Sequence, residues 1–166
     1  MDTCNRLLYI IYVHFKGKKL IQTIQSNITY TSKNFNQEVF DVIQNWDLSD
    51  VARFTSKKYP EIDINLAISE YCHWIYLLAC VTDRLFAPNP DMDQIWHSHI
   101  LHTRDYIRFC NIIKGEYIHH QHVEVDCVAK RKEQLVNTAK TVFDTVPFRC
   151  DVTACSDHYC FEMTFE

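Results

Sequence analysis

The chain has 166 residues, a net charge of −4, and a hydrophobic fraction of 47%. This length and composition predict one domain with a substantial core and leave little room for a second domain. With only two glycines and four prolines, the chain is a poor match to a loop-rich β-sandwich or to a disordered protein. No basic face stands out in the sequence, so electrostatics do not support a nucleic-acid partner.

The N-terminal apolar run, residues 7–15, is too short to span a bilayer and lacks a small-residue cleavage site. We therefore expect a cytoplasmic protein without a membrane partner, in which the eight cysteines do not form structural disulfides. Residues 7–15 and 20–31 predict either two short strands joined at Lys16–Lys19 or an N-terminal helix starting near Cys4. The sequence leaves both alternatives open.

The rest of the chain is predicted to be mainly α-helical. Apolar residues recur at three- and four-residue spacing in most of it, and Gly115 is typical of the residue just after a helix. Asp91 is predicted to cap the helix that Gly115 ends. We predict a single compact helical domain over residues 1–148 and a Cys-rich tail over 149–166, in which a short strand could form. The five predicted helices cover about residues 37–46, 50–58, 64–82, 92–114 and 126–143.

Six of the nine histidines lie within 26 residues, and imidazole is a common metal ligand. Helical geometry separates two of them, since His97 and His99 point roughly 160–200° apart and cannot share an ion. Asp93 lies on the same face as His97, four residues earlier. The opposite face carries His99, Tyr106 and Cys110. The six histidines are His97, His99, His102, His119, His120 and His122.

Two arrangements of a metal site are consistent with this pattern. In the first, His97 and Asp93 meet His119 or His120, which the turn at Gly115 brings back; in the second, His99 and Cys110 meet that pair. Neighbouring side chains of an extended segment alternate between faces, so only one histidine of the pair is expected to reach the ion. Zinc is the expected metal, with iron second. The candidate ligands are His97, His99, Cys110, His119 and His120, with Asp93 and Tyr106 in support.

The stretch from Pro90 to His120 resembles the motif of the glycine-rich domain-containing protein-like family, chiefly its short microbial members. The resemblance covers roughly residues 65–148, and it implies that Trp96 and Thr103 also support the site while His102 and His122 are peripheral. It implies no particular activity. The chain departs from the pattern at Met92 and at Gln121–Val123. Matching positions are Pro90, Asp93, Trp96, His97, His99, Ile100, Leu101, Thr103, Tyr106, Cys110, Gly115, His119 and His120.

These observations favour a metal-binding helical domain over two alternatives. One alternative is a metalloenzyme that activates water on the same site. The other is a non-catalytic interaction module in which the histidines and Trp96 form part of the core. The sequence names no substrate, and the expected partner is an unidentified protein or small molecule.

The tail carries a second group of potential soft ligands at five-residue intervals: Cys150, Cys155 and Cys160, with His158. This spacing makes simultaneous ligation awkward, because zinc sites generally use C-x-x-C pairs. A small zinc site, redox-active or modified thiols, and unrelated cysteines all stay open.

Overall fold

The computed structural model describes residues 9–15, 18–24, 35–81, 88–120 and 128–150. Within these residues it contains one β-hairpin and six helices, which confirms the mainly α-helical fold class. No helix in this part of the chain combines the length and apolar character needed to cross a membrane. The elements are β1 (Tyr9–Phe15), β2 (Lys18–Ile24), α1 (Gln37–Gln44), α2 (Ser49–Lys58), α3 (Ile64–Cys80), α4 (Pro90–Leu101), α5 (Thr103–Ile113) and α6 (Val128–Phe143).

The hairpin settles the alternatives for the N-terminal segment. Its strands pair antiparallel, with Tyr9 opposite Ile24 and Phe15 opposite Lys18. The prediction of two strands is confirmed, and the alternative of a helix starting near Cys4 is wrong for Tyr9–Phe15. The strand considered for the tail falls mostly in residues 151–166, outside the part that the structure describes.

Helix α3 lies at the centre of the core. The Asp63 side chain caps it by accepting the backbone N–H of Leu66 at 3.1 Å. All residues from Tyr71 to Leu78 are buried, as expected for a helix that is hydrophobic on every side. Helices α1, α2, α4 and α5 all contact α3, so the site-bearing helix α4 rests on a rigid base.

The helix predicted over about 92–114 is wrong at His102, where the structure has a break between α4 and α5. In a continuous helix the carbonyl of Ser98 would accept the backbone N–H of His102. Here the ring Nδ1–H of His102 donates to that carbonyl at 2.7 Å, and its backbone N–H donates to His99 at 3.0 Å. The imidazole thus replaces a backbone donor and ends α4 after Leu101.

Helix α4 begins at a buried polar cluster. The prediction that Asp91 caps this helix is wrong. Asn89 caps it instead, because its side chain accepts the backbone N–H of Met92 at 2.9 Å. Glu70 on α3 is almost fully buried. It accepts hydrogen bonds from the Arg149 guanidinium at 2.8 and 2.9 Å and from the Arg149 backbone N–H at 2.7 Å. Arg149 also bonds Asp91 at 2.8 Å. The segment after α6 is therefore fastened to the start of α4, and the predicted domain boundary at 148/149 stays a prediction.

Gly115 directs the chain out of α5. Its φ of +82° lies in the left-handed region, which a residue with a Cβ adopts only with strain. Its N–H bonds the carbonyl of Asn111 at 3.1 Å, as in a helix C-terminal motif. This confirms the predicted helix end and turns residues 116–120 back along the domain.

His73 on α3 is a buried histidine that the sequence analysis did not single out. Its ring packs against Phe40 and Phe143, with centroids 5.2 and 5.4 Å away, and its Nδ1–H donates to the carbonyl of Ser69 at 2.7 Å. Desolvation lowers its pKa to about 4, although Ser69 and Glu70 act in the opposite direction. The folded protein therefore keeps this ring neutral in mildly acidic solution.

We expect His73→Leu to reduce the acid sensitivity of the fold. Between pH 6.5 and 4 the unfolded chain takes up a proton at His73 that the folded chain does not, so stability is lost as the pH falls. Each pKa unit corresponds to about 1.4 kcal/mol, so the drop in unfolding free energy from pH 7 to pH 4.5 should be about 2 kcal/mol smaller in the variant. Urea denaturation at both pH values measures the unfolding free energy of the variant and of the unsubstituted protein.

The unsubstituted protein, measured at the same two pH values, is the reference for this comparison. Equal acid-induced losses in His73→Leu and in the unsubstituted protein would contradict the expectation.

Candidate metal centre

Asp93, His97 and His120 come together on one side of α4. One ligand atom from each lies within 4.8 Å of the other two. His97 Nδ1 is 3.3 Å from one Asp93 carboxylate oxygen, and His120 Nε2 is 3.5 Å from the other. Asp93 and His97 face the same way because they are four residues apart on the helix. All three are partly accessible, with 16%, 29% and 36% of their side chains exposed.

The third member, His120, reaches this point through a chain of two buried hydrogen bonds. The Trp96 indole Nε1–H donates to the Tyr106 hydroxyl at 2.8 Å. That hydroxyl donates in turn to the carbonyl of Ile118 at 2.7 Å. Helices α4 and α5 thereby hold the segment that follows Gly115 in a fixed position.

Ring contacts orient the His120 imidazole. It stacks on His97, with centroids 4.5 Å apart and planes 30° apart, and it lies against the Trp96 indole at 4.5 Å and 34°. Its neighbour His119 is exposed and contacts the edge of Tyr117 at 4.7 Å instead. The expected alternation holds, since only one histidine of the adjacent pair faces Asp93.

The surroundings favour the uncharged form of His97. Desolvation lowers its pKa, and the electrostatic influences of His120 and Lys58 act in the same direction, whereas Asp93 opposes them. Neutral imidazole is the form that binds metals, so this nitrogen is available as a ligand without first losing a proton at neutral pH.

His99 lies in the core, apart from this cluster. The Tyr71 hydroxyl donates to its Nδ1 at 2.9 Å, and its Nε2–H donates to Asp105 at 3.3 Å. The same Asp105 oxygen accepts the Trp46 indole N–H at 2.9 Å. Burial lowers the pKa of His99 to about 4, with Asp105 acting against it. Both ring nitrogens therefore serve the packing of α4 against α3 and α5.

The remaining candidates on α5 do not face Asp93 either. Cys110 is buried, and burial, the largest influence, raises its pKa, although the backbone of Ile118 and the Tyr106 hydroxyl act in the opposite direction. The thiol therefore stays protonated at neutral pH, which suits neither a metal ligand nor a nucleophile. Thr103 is exposed at the start of α5.

Of the two arrangements that the sequence left open, the geometry matches the first, with His120 as the returning histidine. Among the residues that the structure describes, His99, Cys110 and His119 do not join this cluster, and metal ligation by any of them stays a prediction. Trp96 and Tyr106 support the cluster by placing it. His122, Cys155, His158 and Cys160 lie outside the described residues, and Cys150 is partly buried.

Comparison with protein-family models places the chain in a family. The family model described as UCP032817-like matches residues 33–152, which include all six helices and the three residues of the cluster. No curated protein and no solved structure matches the chain.

We expect Tyr106→Phe to destabilise the fold and to loosen residues 117–120. The substitution leaves the Trp96 indole N–H and the Ile118 carbonyl buried without their shared partner, and each such group costs about 1–3 kcal/mol. Chemical denaturation should show a loss of about 2 kcal/mol or more, and amide hydrogen exchange should accelerate in residues 117–120.

Tyr59 is half-buried at the end of α2 and provides the control, since Tyr59→Phe should change neither measurement. A Tyr106→Phe protein with the stability and exchange rates of Tyr59→Phe would show that the hydroxyl does not hold the segment.

Proposed function

Because the chain belongs to the UCP032817-like family, which is uncharacterised, we propose its function from the site alone: it binds a divalent metal ion through Asp93, His97 and His120. Zinc is the metal that we propose first, and iron second. The observation that carries the proposal is the convergence of two imidazole nitrogens and a carboxylate within 4.8 Å.

The separations within the cluster support this proposal. Zinc binds histidine nitrogen and carboxylate oxygen at about 2.0–2.2 Å, so two ligands of a tetrahedral ion lie roughly 3.3–3.6 Å apart. His97 lies 3.3 Å from one Asp93 oxygen and His120 lies 3.5 Å from the other, so each nitrogen is within that range of one oxygen of the carboxylate. Small rotations of the two stacked rings would direct both nitrogens to one ion.

Among the residues that the structure describes, three potential ligands converge, and this number favours a reactive site over a purely structural one. Structural zinc sites have four protein ligands, whereas catalytic zinc has three and keeps a position for water or substrate. Two histidines and one carboxylate also form the ligand set of many non-haem iron enzymes. A bound metal would supply Lewis acidity, and the proposed reaction class is hydrolysis by metal-activated water, with oxidation as the counterpart for iron.

The partial exposure of the cluster distinguishes this proposal from a pure interaction module. His99 and Trp96 are buried at 0% and 3% exposure and act as core residues. A core role does not account for His97, His120 and Asp93, which remain accessible to an ion and to a small molecule. We also propose a relation to the glycine-rich domain-containing protein-like family, for which the motif between Pro90 and His120 is the support.

Removing either imidazole should strongly weaken metal binding. Loss of a residue that only hydrogen-bonds a metal ligand lowers metal affinity about 10–100-fold. Loss of a ligand itself, in His97→Ala or His120→Ala, should therefore weaken binding by about a hundredfold or more. Protein freed of metal by a chelator is titrated with zinc or cobalt. Calorimetry monitors both titrations, and visible absorption also monitors cobalt binding. Elemental analysis of freshly purified protein identifies the metal.

The adjacent His119 offers a matched control, since it is exposed and contacts Tyr117 rather than Asp93. His119→Ala should bind metal as the unsubstituted protein does. The proposal fails if the unsubstituted protein binds none of the metals, or if His97→Ala and His119→Ala bind them equally well.

A further inference from the structure

Tyr71 on α3 is a fully buried tyrosine whose hydroxyl faces a proton acceptor. The hydroxyl donates to His99 Nδ1 at 2.9 Å, and the other ring nitrogen, Nε2, bonds the Asp105 carboxylate at 3.3 Å. The Asp105 side chain is 37% exposed, so it connects the buried pair to solvent. Because imidazole can accept a proton on one nitrogen and release one from the other, these three residues form a path for a proton out of the core.

A row of aromatic rings connects the same tyrosine to the metal centre. The centroid of the Trp74 ring lies 6.3 Å from that of Tyr71 and 4.7 Å from that of Trp96. Trp96 in turn packs on His120, one of the three proposed ligands, at 4.5 Å. Indole and phenol rings are among the side chains that most readily lose one electron. An electron can therefore pass from Tyr71 to the metal centre through neighbouring rings.

We propose that Tyr71 is a one-electron donor to an iron ion at the metal centre, with a peroxide as the oxidant. Trp74 and Trp96 carry the electron. His99 and Asp105 take the proton. This inference rests on the proposed function with iron as the bound metal, whose usual non-haem ligand set is two histidines and a carboxylate. It adds a reaction class, the reduction of peroxide, and an electron donor outside the ligand cluster.

The electrons and protons of this step balance for hydrogen peroxide. Breaking its O–O bond to give two molecules of water takes two electrons and two protons. The ferrous ion supplies one electron and becomes ferric, and Tyr71 supplies the other and becomes a neutral phenoxyl radical. The phenolic proton passes to His99 Nδ1 while the Nε2 proton passes to Asp105, so the buried imidazole stays neutral. Solvent exchanges protons with the exposed carboxylate and supplies those that the peroxide consumes.

Tyr106, the buried tyrosine bonded to Trp96, is less suited to this role. Its hydroxyl donates to the carbonyl of Ile118, where the hydroxyl of Tyr71 donates to an imidazole. A backbone carbonyl is not a base at neutral pH, so it does not take a proton from an oxidised phenol. The pairing with imidazole therefore distinguishes Tyr71 as the donor.

The test uses the full chain loaded with ferrous iron under anaerobic conditions, mixed with hydrogen peroxide and frozen for electron paramagnetic resonance. We expect a tyrosyl radical, which should be absent from zinc-loaded protein because zinc has no redox chemistry. The radical should be lost in Tyr71→Phe. A second measurement needs no substitution. In protein with isotopically labelled histidine nitrogen, pulsed resonance should detect an imidazole nitrogen at the radical oxygen.

Tyr76→Phe is the matched control, because Tyr76 is equally buried on α3 and its hydroxyl accepts the backbone N–H of Asn36 at 2.7 Å. This variant should keep the radical. Trp74→Phe should lose most of the signal, since phenylalanine is much harder to oxidise than indole. Among the residues that the structure describes, the Trp74 indole N–H has no hydrogen-bond partner, so this substitution breaks no hydrogen bond there.

Several outcomes would overturn the inference and leave the metal site intact. They are equal radical signals in Tyr71→Phe and Tyr76→Phe, an undiminished signal in Trp74→Phe, no imidazole nitrogen at the radical, and no radical in iron-loaded protein. Binding of zinc without binding of iron would have the same consequence. If neither metal bound, the proposed function would fail and the inference with it.

Discussion

Tyr106 donates its hydroxyl proton to the carbonyl of Ile118 and accepts the indole N–H of Trp96, in a buried setting between two helices. His120 belongs to residues 117–120, which have neither helical nor strand structure, so its position depends on this link. Ordering a flexible backbone costs about 1–2 kcal/mol for each residue. Folding already fixes this segment through Tyr106. A metal ion would therefore find the His120 imidazole in place, beside the His97 ring on α4.

Periodicity predicts most of the helices because their apolar residues recur on one face or, in α3, on every face. It fails at His102, where a side chain takes over the backbone's hydrogen bond to Ser98, and no pattern of apolar residues reports such an exchange. The failure matters for the site. The break resets the direction of α5, so that Tyr106 can reach the Trp96 indole from ten residues away. A continuous helix, as the sequence suggested, would have placed that hydroxyl differently.

For the site, the four-residue spacing of Asp93 and His97 and the alternation of His119 and His120 both indicate side-chain direction, and both agree with the structure. The role of His99 could not be derived in the same way, since its partners Tyr71 and Asp105 come from different helices. A histidine-rich motif therefore combines two kinds of residue that sequence alone does not separate. His99 holds α3 and α5 together in the interior, whereas His97 and His120 face a partly open surface.

The pairing of Glu70 with Arg149 affects where the chain can be shortened. Arg149 gives Glu70 three of its hydrogen bonds, and Glu70 sits on the central helix with only 2% of its side chain exposed. A fragment ending before Arg149 would retain the buried carboxylate without its counter-charge, a situation that destabilises proteins by several kcal/mol. The shortest fragment that folds by itself is therefore expected to extend past α6 and to include Arg149. Through Asp91, Arg149 also ties this end of the described chain to the start of α4.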